Sequence, residues 1–274
     1  MCKTDQVMVP AYLHIKAPQF TTKADGTQGL NSSDFKDYWV FESGIFKGSY
    51  AIPSEFPLQK TGKAVIRIGA GIKKSGQEEQ RLIYPIVKNF IDTIDFKPNQ
   101  TDTISPEFSY QDNAVFKLME DFDQNGFSLE FNPAFKIPGD TLIKYNGEDA
   151  FLKGNYSGKI VLANDSSIME LYTPVLNRLP KFTPTYLELD YRNDLPFTLG
   201  MYATEIDGSV KQIPLIVLTP KTKWNKLYLD LETEIAYYPL GTQFRFFMRF
   251  SNNFVAPVQN PKVLIDNFKL IYLD

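Results

Sequence analysis

Apolar residues recur at every second position in segment after segment of this chain, and that period belongs to strands whose alternate side chains point to opposite faces. In Tyr186-Leu187-Glu188-Leu189-Asp190-Tyr191 the leucines share one face and the carboxylates the other. Leu227, Leu229 and Leu231 repeat the pattern, with Tyr228 and Asp230 opposite them. Phe244, Phe246, Met248 and Phe250 face one way while Arg245, Phe247 and Arg249 face the other, as expected where one sheet face meets a core. Asn146-Gly147 and Asp207-Gly208 lie between apolar segments and supply the positive φ angles of tight hairpins. Stripes of 3.6-residue period are missing, so the pattern predicts an all-β protein.

The alternation lapses over residues 97–112, through Lys97-Pro98-Asn99-Gln100-Thr101-Asp102-Thr103, Ser105-Pro106 and Gln111-Asp112, which predicts a linker. Before it, residues 7–96 have room for about seven short strands, enough for an immunoglobulin-like or fibronectin-like β-sandwich. After it, residues 113–274 have room for the roughly eight strands of a jelly roll. Two β-sandwich domains are therefore expected, behind a polar tether at residues 1–6.

Composition changes the picture in two ways. With 43% hydrophobic and 22% charged residues the chain is that of an ordinary globular protein, and a single cysteine excludes an intrachain disulfide framework, so burial of apolar area must supply stability. Net charge is only −3 with no basic block, which excludes nucleic acid as a partner. No run reaches the roughly 20 apolar residues of a spanning helix. The one cysteine is Cys2, followed by Lys3-Thr4-Asp5-Gln6. That is the placement of an acylated cysteine ahead of a short polar tether, and it predicts membrane attachment through an N-terminal lipid alone.

Candidate catalytic chemistry is sparse. His14 is the only histidine; on a strand it shares a face with Tyr12 and Lys16, and no serine carries a nucleophile elbow. Gly71-Ile72-Lys73-Lys74-Ser75-Gly76-Gln77 has Gln77 where a phosphate-binding loop needs lysine, and reads as a hairpin turn. The pairs Glu188 with Asp190 and Glu232 with Glu234 would each lie on one strand face, the minimum a glycosidase needs, although such pairs in an acidic β-protein are ordinarily solvated. Asp121-Phe122-Asp123-Gln124-Asn125-Gly126 reproduces the first half of a calcium loop. Its second half fails, because Asn132 stands where a bidentate glutamate is due and Glu130 is out of register; a polar turn explains the run more simply.

Several motifs together resemble a group of surface or outer-membrane lipoproteins of the Bacteroidota. They are Val9-Pro10-Ala11-Tyr12-Leu13-His14-Ile15, Asp37-Tyr38-Trp39-Val40-Phe41, Arg67-Ile68-Gly69-Ala70-Gly71-Ile72, Glu120-Asp121-Phe122, Trp224-Asn225-Lys226-Leu227-Tyr228-Leu229-Asp230-Leu231 and Val263-Leu264-Ile265-Asp266-Asn267-Phe268-Lys269-Leu270. The resemblance implies an outer-membrane, cell-surface location and a small sandwich followed by a galactose-binding-like or carbohydrate-binding-module-like jelly roll. It also implies a structural calcium between the first and last strands, held by Glu120, Asp121, Asp123 and Asp266, with no cofactor required.

Ligand or partner contacts are expected from outward-facing aromatic and arginine residues: Tyr228, Arg245, Phe247 and Arg249 on strands, and Tyr237 and Tyr238 in a loop ending at Pro239. Trp39 and Trp224 read as core. The expected role is that of a non-catalytic interaction subunit of an outer-membrane protein complex serving secretion, outer-membrane protein biogenesis or uptake. The alternative is a surface lipoprotein whose jelly roll captures polysaccharide, and the third reading is a carbohydrate-active enzyme.

Overall fold

A computed structural model of the chain describes residues 9–135, 137–152, 155–253 and 257–274. Cys2 and the tether at residues 1–6 lie outside the described residues. The protein is all-β and divides into two compact units, one of residues up to Thr22 together with Ser33–Asp112, the other of Lys23–Ser32 together with Asn113–Asp274.

The first unit contains β1 (Ala11–Ile15), β2 (Gln19–Thr21), β3 (Asp37–Glu42), β4 (Ile45–Ala51), β5 (Ser54–Leu58), β6 (Gly62–Lys73), β7 (Arg81–Ile83), β8 (Phe90–Phe96), β9 (Thr101–Ile104) and β10 (Glu107–Ser109). The long strand β6 is the axis: it pairs with β3 along one edge, which in turn pairs with β4, and with β8 and β7 along the other. Two smaller sheets have the orders β5-β1-β9 and β10-β2. Residues 97–112, expected as a linker, thus supply two strands that pair in parallel with β1 and β2. Each of those strands buries a single side chain, Ile104 or Phe108, and leaves its other residues polar, so its composition imitates a linker. The glycine-rich stretch after Gly71 is the hairpin between β6 and β7, closed by a 3-10 turn at Lys74–Gly76.

The second unit is a β-sandwich of jelly-roll type. Its strands are β11 (Ala114–Glu120), β12 (Glu130–Phe131), β13 (Thr141–Tyr145), β14 (Ser157–Val161), β15 (Ile168–Tyr172), β16 (Thr185–Asn193), β17 (Phe197–Thr204), β18 (Val210–Leu218), β19 (Lys221–Asp230), β20 (Gln243–Ser251) and β21 (Val263–Leu273). One sheet has the order β13-β14-β21-β16-β19, with β11 also on β21; the other has the order β12-β15-β20-β17-β18. Alternation decides what lies between them. Leu187, Leu189, Leu227, Leu229, Phe268 and Leu270 from the first sheet meet Leu171, Leu199, Met201, Phe246, Met248 and Phe250 from the second. The alternation-based strand assignments are thereby met at β16, β19 and β20.

Two local expectations change. Residues Glu232–Tyr237 form a short helix, α1, which places Glu232 and Glu234 on a helical turn and ends at Tyr237. Asn146-Gly147 follows β13 without closing a tight hairpin, since β14 begins only at Ser157, whereas Asp207-Gly208 does turn between β17 and β18 with Gly208 at φ 83°.

Lys23–Ser32 leaves the first stretch of chain and docks on the outer face of the six-stranded sheet. That face carries Glu188, Asp190, Lys226, Asp266, Asn267 and Lys269, all on the side away from the core. Ser32 Oγ donates to Asp190 Oδ2 at 2.6 Å, Asn267 Oδ1 accepts from the Leu30 N–H at 3.4 Å, and Lys269 Nζ donates to the Leu30 carbonyl at 3.4 Å. Gly29 has φ 70°, and a methyl group on it would lie 2.9 Å from Lys269 Cε and 3.0 Å from Met119 Sδ. Glu188 and Asp190 are consequently buried and paired with Lys226 Nζ at 2.9 and 3.3 Å, not solvated as their sequence pattern suggests. Burial also pushes the Asp266 carboxyl up to about 8, against the hydrogen bonds from Ser157 and the Asn267 N–H. It pushes the Lys269 ammonium down to about 8, with Lys226 adding repulsion.

Two outcomes follow from this covered face. Replacing Gly29 by alanine forces a left-handed backbone and a side-chain clash, and is expected to destabilise the second unit by about 1–3 kcal/mol, read as a lower denaturant midpoint. Between pH 3.8 and about 8, Asp266 keeps in the folded chain a proton that the unfolded chain has already released. Its contribution is full below 3.8 and is lost as pH rises through about 8. Wild-type stability should therefore fall between pH 5 and 8 more steeply than that of Asp266→Asn, by up to about 1.4 kcal/mol per pH unit; equal slopes in chemical denaturation would contradict this.

Candidate functional site

The outer face of the five-stranded sheet, β12-β15-β20-β17-β18, is organised around one buried carboxylate. In Ile168-Met169-Glu170-Leu171-Tyr172, Met169 and Leu171 enter the core, so Glu170 and Tyr172 must face outward. The neighbouring strand β20 places Arg249 opposite Glu170, and β17 places Thr198 opposite Arg249 with Tyr202 further along the same face. Glu170 is 0% exposed. Its Oε1 accepts from Tyr202 Oη at 2.8 Å and from Asn132 Nδ2 at 2.7 Å; its Oε2 accepts from Arg249 Nε at 2.8 Å and lies 2.6 Å from a terminal nitrogen of the same guanidinium. A buried carboxylate without such donors would be costly, and here every oxygen is met by at least two.

Aromatic rings surround this hub. The Arg249 guanidinium lies 4.2 Å from the centroid of the Phe135 ring, and that of Arg245 lies 4.3 Å from the Tyr172 ring. Arg245 also donates to Glu130 Oε2 at 2.9 Å. Gln212 on β18 donates to Tyr202 Oη at 3.0 Å. Burial, followed by the hydrogen bond to Glu170, pushes the Tyr202 hydroxyl up to about 12, which keeps it a neutral donor at physiological pH. Tyr202, Tyr172 and Phe135 are half-buried, Gln212 and Glu130 are exposed, and Arg245 and Arg249 are half-buried, so polar and aromatic side chains are partly exposed side by side. Two arginines balance two glutamates, leaving a face rich in hydrogen-bonding groups without excess charge.

Of the sequence-predicted residues, Arg245 and Arg249 belong to this face. Phe247 points the same way but is only 2% exposed. It lies over Gly200, where a methyl group would overlap the ring, and beneath Tyr202, whose ring centroid is 5.0 Å away; it is a floor and not a contact surface. Tyr228 sits on the outer face of the other sheet, buried beside Lys226. Tyr238 packs edge-to-face on Phe244 at 5.8 Å and is buried, while Tyr237 at the end of α1 is 78% exposed. The six positions therefore divide among different surfaces instead of forming one site. Glu170, Tyr202, Tyr172, Asn132 and Phe135 were not identified from the sequence; alternation within β15 and β17 carried a signal for Glu170, Tyr172 and Tyr202, whereas Asn132 and Phe135 arrive from the irregular β12–β13 connection.

Among the described residues no group of three or more His, Cys, Asp or Glu is placed to hold a metal ion. Of the four carboxylates expected around a calcium, three accept from loop groups and Asp266 accepts from groups on two strands. Glu120 accepts from the N–H groups of Phe122 and Ser128, Asp121 from that of Asp123, Asp123 from Tyr156 N and Asn155 Nδ2, and Asp266 from Ser157 and the Asn267 N–H. His14 lies on β1 beside Glu55, its Nδ1 3.4 Å from Glu55 Oε2. The two tryptophans are half-buried with their N–H groups satisfied, Trp39 by Asp37 Oδ1 and Trp224 by the Asp149 carbonyl, both at 2.9 Å.

No protein-family model matches the chain, and no curated protein matches it. Similar solved structures include the CBM22-1 xylan-binding domain from Paenibacillus barcinonensis Xyn10C, 12% identical, covering 59% of this chain and 96% of that chain at a TM-score of 0.43. They also include a structure described as carbohydrate-binding modules from the β-sandwich superfamily, 13% identical, covering 86% of this chain and 85% of that chain at 0.41. A third is TmCBM61 in complex with β-1,4-galactotriose, 12% identical, covering 52% of this chain and 85% of that chain at 0.33.

Proposed function

We propose that the outer face of the five-stranded sheet binds a neutral polysaccharide and that the protein acts by capture and not by catalysis. The observation that carries this reading is the Glu170 hub, which holds Tyr202, Arg249 and Asn132 in one fixed arrangement beside half-exposed rings. A pyranose presents an apolar C–H face, which an aromatic ring covers, and a rim of hydroxyls, which Arg245, Gln212 and Glu130 can bond as donors and acceptors. Charge balance across the face suits a ligand without charge. Glu170, with donors on both oxygens, serves as a scaffold here and not as a proton donor or nucleophile. At a bacterial cell surface such a face would meet extracellular polysaccharide.

A second reading, attachment to a protein partner in an envelope complex, is favoured by a separate feature. Ile206, Tyr237 and Leu240 are 76–78% exposed, and a methyl group on neighbouring Gly241 would lie 3.0 Å from Ile206 Cδ1. Large apolar side chains gathered in this way suit a protein contact better than a sugar.

Affinity electrophoresis and calorimetry against a panel of neutral soluble polysaccharides test the first reading. Binding is expected for at least one, and Arg245→Ala should weaken it roughly 10–100-fold, the loss of a charged hydrogen bond of about 1.5–3 kcal/mol. Tyr202→Phe removes only the hydroxyl and should weaken the same ligand. Failure of every neutral glycan to bind, or unchanged affinity in both variants, would overturn the reading.

A further inference from the structure

At the end of the sandwich where β16 meets the turn before β19 and the approach to β21, a cleft of about 420 Å³ is lined by Arg192, Asn193, Lys221, Thr222, Asn260 and Lys262 among others. That volume falls within the roughly 300–1,000 Å³ of small-molecule sites. None of these residues belongs to the sheet face described above, and the sequence pattern draws attention to none of them.

The cleft is built and not incidental. Arg192 pairs with Oδ1 and Lys262 with Oδ2 of Asp149, and the Lys262 ammonium together with the Arg192 guanidinium holds that carboxyl below the usual range. Asp149 is itself fixed through its carbonyl, which accepts from Trp224 Nε1 at 2.9 Å, and Trp224 packs edge-to-face on Phe151 at 5.2 Å. Beside Lys262, Asp194 Oδ1 accepts from the Lys262 N–H at 2.6 Å, and the Asp194 N–H donates to the Lys262 carbonyl at 3.0 Å. Three cations, Arg192, Lys221 and Lys262, thus face two carboxylates, Asp149 and Asp194. Lys221 is exposed and has no ion-pair partner among the described residues, so it carries the excess positive charge.

The remaining groups restrict the ligand further. Thr222 and Asn260 offer both donors and acceptors, Asp194 offers acceptors only, and the Asn193 amide donates to the Leu195 and Leu218 carbonyls while its Oδ1 has no partner in the wall of the cleft. Inorganic sulfate presents acceptor oxygens only and brings no donor to the Asp194 carboxylate; inorganic phosphate at neutral pH keeps an O–H group but brings no further hydroxyls for Thr222 and Asn260. A neutral sugar leaves Lys221 unanswered. A sugar carrying one carboxylate answers both, because it brings a single negative charge and several hydroxyl donors.

We propose that this cleft binds the carboxylate-bearing unit of an acidic polysaccharide, a uronic acid residue, as a second carbohydrate site separate from the neutral-glycan face. The carboxylate pairs with Lys221 and the outward edge of the Arg192 guanidinium, and the hydroxyls bond Thr222, Asn260 and Asp194. The two sites would let one chain engage a mixed polymer through both its neutral and its acidic units.

Calorimetry on the full chain with short oligomers of galacturonate, glucuronate and mannuronate, each beside its methyl ester, tests the proposal. At least one acidic oligomer is expected to bind, with affinity falling tenfold or more on esterification and in Lys221→Ala, whose exposed position leaves the fold intact. Arg245→Ala should leave this binding unchanged, so that loss of the neutral-glycan reading and loss of this one are separable. The proposal is overturned if no uronate oligomer binds, if the ester binds equally well, if Lys221→Ala binds as the wild type does, or if inorganic sulfate displaces the oligomer at equal concentration.

Discussion

Burial of the Glu170 carboxylate sets the terms for the surface around it. A charge removed from water must be met by donors, and four N–H or O–H groups from three different segments converge on it. Because β17, β20 and the β12–β13 connection each supply one of those side chains, Tyr202, Arg249 and Asn132 cannot move independently. A flexible set of surface side chains becomes a fixed array, and the entropy of ordering it falls on folding and not on ligand binding. Phe247 completes the support from below, seated where Gly200 leaves room for a ring.

The opposite sheet of the same sandwich shows what happens when outward polar residues are covered. Glu188, Asp190, Lys226 and Lys269 form a comparable network of charge, but Lys23–Ser32 lies over it and its hydroxyl, amide and carbonyl groups take the positions that a ligand would need. One sandwich therefore has a closed polar face and an open one. Both are products of the same two-residue alternation, and only the docking of a distant segment distinguishes them.

This contrast also marks what the sequence made legible. Alternation in Phe244–Phe250 separated core from surface, and Arg245 and Arg249 stand where that pattern put them. It could not reveal that Phe247 and Tyr228, equally outward by pattern, are roofed over, because the roofs come from Tyr202 on another strand and from neighbours across the sheet. The hub glutamate was readable in principle from the alternation of Ile168–Tyr172, but a five-residue strand between polar loops stands out little, and its donors are 32 to 79 positions away. The calcium-like run Asp121–Gly126 shows the reverse case, a local motif with a ligand's composition in which Asp121 bonds the N–H of its own loop and Asp123 bonds Asn155 and Tyr156 from the approach to β14.

The open face around Glu170 is where we propose that a glycan sits. Nuclear magnetic resonance titration of the isotope-labelled full chain with a binding polysaccharide fragment tests it most directly. Shifts should concentrate on Tyr172, Tyr202, Gln212, Arg245 and Arg249, with the strands beneath them following. Shifts confined to Ile206, Tyr237 and Leu240, or to the first unit, would contradict it.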